Sequence, residues 1–143
     1  MHRYELIDAG SLARARVVGA TLEDMFEVSG YAMFDLGFDL EGVAGRYPWP
    51  VLGAGDTWGE LLGSWLESLG AASRSRDLVF ASFTVDRLEE GGVQGSASGL
   101  PSADVPPRAR TVVGLAEPPV PITTPAGWTA DLTFETVPRL HVV

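Results

Sequence analysis

The 143-residue chain contains no cysteine, which removes disulfide frameworks, thiolate zinc sites and cysteine nucleophiles together. Histidine is nearly as scarce. His2 and His141 are the two imidazoles, both at the chain ends, so histidine-based catalysis and histidine-rich metal sites have little to work with. Lysine is also missing, and all 10 basic side chains are arginine. With abundant alanine and glycine, this reads as a GC-rich coding bias. The formal net charge of −9 repels phosphate backbones, so direct nucleic-acid binding is not expected. An acidic surface suits a basic partner or a divalent cation better. No apolar run is long enough to cross a bilayer, and Met1, His2, Arg3 and Tyr4 lead into a strand-like pattern without a basic-then-apolar leader. The expectation is a cytoplasmic protein with no membrane association.

What is present is enough apolar content for one packed core, in a chain of ordinary domain length. One domain over residues 1–143 is expected. Tyr4–Ile7 and Ala13–Val18 read as extended stretches around a break at Asp8, Ala9, Gly10 and Ser11. Thr21 starts a helix, with Asp24 in a capping-box-like position and Leu22, Met25, Phe26, Ser29 and Met33 at helical spacing. It should run to about Leu36, with Gly30 as a tolerated weak point. Trp49–Leu52 fits a short edge strand, where proline is tolerated. In the clearest element, Thr57 and Glu60 form a capping box, and Trp58, Leu61, Leu62, Trp65, Leu66 and Leu69 share one helical face.

Leu78–Val85 is strongly strand-like, Asp86–Gly92 a polar turn, and Val93–Ser98 a weaker second strand, together a hairpin. Arg110–Leu115 gives another strand, Glu117–Gly127 a proline-punctuated connection, and Trp128–Glu135 an alternating strand. Trp128, Ala130, Leu132 and Phe134 share its inner face. Thr129, Asp131, Thr133 and Glu135 share the outer one. Strand, helix, strand, helix and then several strands argue for an α+β fold with two helices packed on a largely antiparallel sheet.

Several features have a plain reading beside a functional one. Arg14 with Arg16, Arg74 with Arg76, and Arg108 with Arg110 sit at alternate positions, which on a strand would line one face for docking. Solvated strand edges explain them more simply. Gly53, Gly55 and Gly59 lack the spacing of a nucleotide-binding turn. Asp86, Glu89 and Glu90 fit a polar hairpin turn, and Trp58 and Trp65 fit the core better than a stacking platform. No nucleophile and base can be paired, so an enzyme is not expected.

The run YELIDAGSLARARVVGATLEDMFEVSGYAMFDL resembles the opening of the archease family, usually Y-E, two apolar residues, D-H-T-A-D, a short strand, a glycine, T-L-E-E and a helix ending near A-L-F-D-L. Tyr4, Glu5, Asp8, Gly19, Thr21, Leu22, Glu23, Phe34, Asp35 and Leu36 coincide with it. DTWGELLGSWLESL is similar to the family's second helix. The strand Leu78–Val85 and the last strand, GWTADLTFETV, have counterparts in order. The resemblance implies an archease-like fold of the strand-helix-strand-strand type. It also implies an accessory protein that promotes guanylylation and repeated turnover of a GTP-dependent RNA ligase in tRNA splicing or RNA repair.

The family's functional site is an acidic metal-binding cluster near the sheet end. By this resemblance Asp8 takes the first aspartate of the motif and Glu135 the final-strand aspartate. Together they would hold a divalent cation, Ca²⁺ or Mg²⁺. The motif histidine falls on Ala9 and its second aspartate on Leu12, and the chain continues past Glu135 through Pro138 to Val143. Hard cations seek about six or more oxygen ligands, so two carboxylates plus water imply a weak site. The alternative implied by Leu12 is an interaction module that kept the fold without the metal role.

Overall fold

The computed structural model describes residues 4–8 and 11–139, with the side chains of Asp8 and Tyr47 outside the description. The elements run β1 Tyr4–Asp8, β2 Leu12–Gly19, α1 Leu22–Asp35, β3 Tyr47–Gly55, α2 Trp58–Arg76, β4 Leu78–Glu89, β5 Gly91–Pro101, β6 Arg110–Leu115, β7 Ile122–Thr124 and β8 Gly127–Pro138.

Both helices begin where their caps dictate. The Thr21 hydroxyl accepts the Asp24 amide at 3.1 Å, and the Thr57 hydroxyl accepts the Glu60 amide at 3.1 Å. The Glu60 carboxylate reaches back to the Asp56 amide at 2.9 Å. The two hydroxyl contacts satisfy amides left orphaned in the first turns, and the Glu60 contact ties down the residue just before the cap. α2 stops at Asp77, whose φ of 53° lies in the left-handed region, and Arg74 and Arg76 occupy its last turn, where cations complement the helix dipole.

The strands form two antiparallel sheets. One has the order β1-β2-β8-β6, with β7 also on β8, and the other the order β3-β5-β4. β2 alternates cleanly: Ala13, Ala15 and Val17 are buried while Leu12, Arg14 and Arg16 are exposed. α1 packs on β2 and β4, one strand from each sheet, and α2 packs mainly on β3. This position between layers explains why α1 buries residues around most of its circumference, from Met25 and Phe26 to Ala32 and Phe34. The Trp65 indole is fully buried and donates to the Phe26 carbonyl at 3.1 Å, joining the helices. A buried donor left unpaired would cost about 1–3 kcal/mol.

Gly30 is a packing device as well as a weak helix former. A Cβ there would stand 2.8 Å from Phe83 Cδ1 and 3.2 Å from Leu69 Cδ1, so glycine lets α1 approach β4 and α2.

The α+β class, the two helices and the antiparallel pairing agree with the sequence expectation, and the boundaries differ in informative ways. β3 extends well beyond Trp49–Leu52. Pro48 and Pro50 alternate on its unpaired side, since β3 is the edge of its sheet and a missing N–H costs nothing there. The supposed turn Asp86–Gly92 is mostly ladder, because Glu89 pairs with Gly92 and the reversal is confined to Glu90 and Gly91, the latter with φ 89°. The connection Glu117–Gly127 contains β7, pairing with Gly127–Thr129 of β8. No helix among the described residues is long and apolar enough to cross a membrane.

Candidate functional site

The sheet register decides which of the expected site residues meet. Leu12 pairs with Glu135 across β2 and β8, and Gly114 pairs with Glu135 from β6 on the other side. On β1, Asp8 pairs with Arg14. The Asp8 backbone therefore lies two strands from Glu135, roughly 10 Å laterally at about 4.8 Å per strand, and is offset along the strands. The positions that the resemblance assigns to the motif's second aspartate and the final-strand carboxylate, Leu12 and Glu135, are thus direct neighbours, and Asp8 is one strand farther away. The Asp8 side chain, Ala9 and residues 140–143 lie outside the described residues. Thr136, Val137 and Pro138 continue β8, pairing with Val112, Thr111 and Arg110.

Glu135 is exposed on the outer face of the larger sheet, as its alternation implied, and so is Asp131. Thr133, assigned to the same solvated face, is instead buried, because the Glu117 carboxylate folds over it and accepts its hydroxyl at 2.9 Å. Beside Glu135, β6 carries a bulge between Val112 and Gly114. Val113 is its extra residue, exposed to solvent. Bulges re-aim side chains at the rims of sheets, and nothing local in the sequence announces this one.

Among the described residues, no group of three or more His, Cys, Asp or Glu side chains is placed to hold a metal ion. The residues facing Glu135 in register, Leu12 and Gly114, bring no side-chain oxygen. The described donor set therefore does not fit a resident calcium or magnesium ion, which takes about six or more oxygen ligands.

The nearby charges are arranged as ladders. Arg16 grips Asp131 through Nε at 2.9 Å and through its second nitrogen at 3.2 Å. That hydrogen bond, with the charges of Arg16 and Arg14, holds the Asp131 carboxyl below the usual carboxylate range. The other arginine pairs do not extend this face. Arg74 and Arg76 lie on α2, where residues two apart diverge, and Arg76 stacks over the Trp49 ring at 4.3 Å. Arg108 donates to the carbonyls of Asp35 and Phe38 at 2.6 and 3.1 Å and to the Asp35 carboxylate at 3.0 Å. The three pairs thus serve three different places, and no shared docking face results.

Asp35 is the centre of a clamp that sequence reasoning did not assemble. The Tyr4 hydroxyl donates to its carboxylate, so β1, the end of α1 and the segment before β6 meet on one residue. Burial, followed by the hydrogen bond to Asp35, holds the Tyr4 phenol well above its ordinary pKa. Burial also raises Tyr31, whose ring centroid lies 6.5 Å from that of Tyr4.

The remaining candidates are structural. Trp65 is core, Trp58 is half-buried against it, Gly53 and Gly55 belong to β3, and Gly59 opens α2. Asp86 and Glu89 lie within β4 and Glu90 at its reversal. A cleft of about 1100 Å³ lies between α2 and β6, with Leu66, Gly63, Gly70, Val112 and Leu115 among its walls. It does not include Glu135 or Leu12.

Residues 4–112 match the family model described as the Archease protein family (MTH1598/TM1083). Glu135 lies beyond that match. The chain is similar to protein archease of Methanosarcina mazei, with 28% identity over 102 residues, covering 71% of this chain and 70% of that protein. Its fold is similar to the solution structure of protein 1598 of Methanobacterium thermoautotrophicum, with a TM-score of 0.75, 20% identity, and coverage of 94% of this chain and 99% of that one. At that identity the likeness concerns the fold.

Proposed function

Because the chain belongs to the archease family, we propose that it is an accessory protein of a GTP-dependent RNA ligase in tRNA splicing or RNA repair, forming and breaking no bonds itself. The ligase is its protein partner, and RNA is handled by the ligase. The observation that carries this reading beyond family membership is the cross-strand pairing of Leu12 with Glu135. It makes cross-strand partners, on a solvent-facing sheet surface, of the two positions that the resemblance assigns to the motif's second aspartate and the final-strand carboxylate, the first of them occupied by leucine. The test is guanylylation of the cognate ligase at limiting Mg²⁺ or Mn²⁺, with and without this protein. Faster guanylylation is expected, and an unchanged rate would sink the proposal.

A second reading gives Asp8 and Glu135 a weakly held Ca²⁺ or Mg²⁺ to present to the ligase. Their positions on neighbouring parts of one sheet favour it, and the apolar Leu12 between them opposes it. Calorimetric titration with each ion decides: binding that disappears in Asp8→Ala supports a presented ion, and no binding leaves a metal-independent accessory.

A further inference from the structure

Glu135 is a carboxylate with apolar neighbours. Leu12, directly opposite, is 48% exposed, and Val137, the next outward residue on β8, is also 48% exposed. Val113, the extra residue of the adjoining bulge, is 51% exposed. In the antiparallel ladder Leu12 and Val137 are diagonal neighbours, about 7–8 Å apart, and Gly114 contributes no side chain between them and the cleft. Scattered apolar residues on a surface are ordinary, whereas three around one acid form a patch.

Among the described residues Glu135 makes no ion pair and no side-chain hydrogen bond. On β2, Arg16 bridges Asp131, and Arg14, whose charge also acts on Asp131, forms no ion pair with Glu135. Among the described residues, Leu12, Val137 and Val113 offer a divalent ion no side-chain oxygen beside Glu135, and the Glu117 carboxylate is engaged by the Thr133 hydroxyl. A guanidinium or ammonium on its hydrocarbon stem needs one carboxylate for the head and apolar walls for the stem.

We propose that this end of the sheet receives an arginine or lysine side chain of the partner protein, flanked on the partner by apolar residues, and that it does so without a metal ion. The inference rests on the accessory reading and names the contact through which that role is exercised. A chain of net charge −9 also steers a basic surface toward itself.

The experiment is binding of the purified cognate ligase to the full chain, measured by calorimetry in EDTA and again in Mg²⁺ and in Ca²⁺. Affinity should be the same in all three buffers, and Glu135→Gln and Val137→Ser should each weaken it, the former on the order of tenfold. Both positions are exposed, and matching melting temperatures for the variants confirm that folding is intact. Binding that requires Mg²⁺ or Ca²⁺, or variants that bind like the wild type, would overturn this inference and leave the accessory reading standing. A wild-type chain that does not bind the ligase in any buffer would overturn both.

Discussion

Leu12 and Glu135 face one another across β2 and β8, an apolar side chain directly beside a carboxylate on the solvent face of the sheet. In an antiparallel pair such residues have Cβ atoms about 4.5–5.5 Å apart, close enough for two carboxylates to share an ion. The substitution of leucine at this position therefore acts on the donor set while leaving the backbone that would carry it in place.

Restoring the acid should restore affinity. Leu12→Asp is expected to bind Ca²⁺ or Mg²⁺ more tightly than the wild type, with the gain abolished in Leu12→Asp/Glu135→Ala. Calorimetric titration of the three proteins measures this. Equal heats for wild type and Leu12→Asp would mean that the register does not create an ion site.

The clamp on Asp35 predicts a pH dependence at the alkaline end. A phenol held above its ordinary value is favoured in its neutral form by the fold, so its contribution is complete below the unfolded value of 10.0 and is lost as the pH rises from there. Denaturant unfolding of the wild type should weaken above that pH more steeply than that of Tyr4→Phe. At neutral pH the variant should cost about 1 kcal/mol, a typical hydrogen-bond contribution.

Trp65 joins the two helices through the core. Trp65→Phe removes the indole donor to the Phe26 carbonyl and leaves space in a fully buried position, at an expected cost of roughly 2–4 kcal/mol in urea unfolding. A loss below about 0.5 kcal/mol, the usual range for uninvolved surface sites, would contradict the packing described.

The capped, periodic helices were legible because their signals are local. Thr57, Glu60 and the Leu61–Leu69 face act within a few turns of chain, and the inward set of Ala130, Leu132 and Phe134 follows from strand alternation. Features set by distant partners were not. Gly30 looks like a weak point until Phe83 and Leu69 are brought against it, and Thr133 looks solvated until Glu117 covers it. Arg74 and Arg76 would share a face on a strand, yet they complete a helix. At the candidate site, the sequence supplied Asp8, Leu12 and Glu135 as positions by resemblance, and the register adds that Leu12 and Glu135 touch the same place. Val113 and Val137 escaped notice, one because a bulge depends on pairing between strands and the other because β8 continues past Glu135.

The accessory role is tested most directly by RNA joining under multiple-turnover conditions, counting products per molecule of the cognate ligase with and without this chain. The account predicts that adding the chain raises the count of products per ligase molecule. An unchanged count at saturating chain would contradict it.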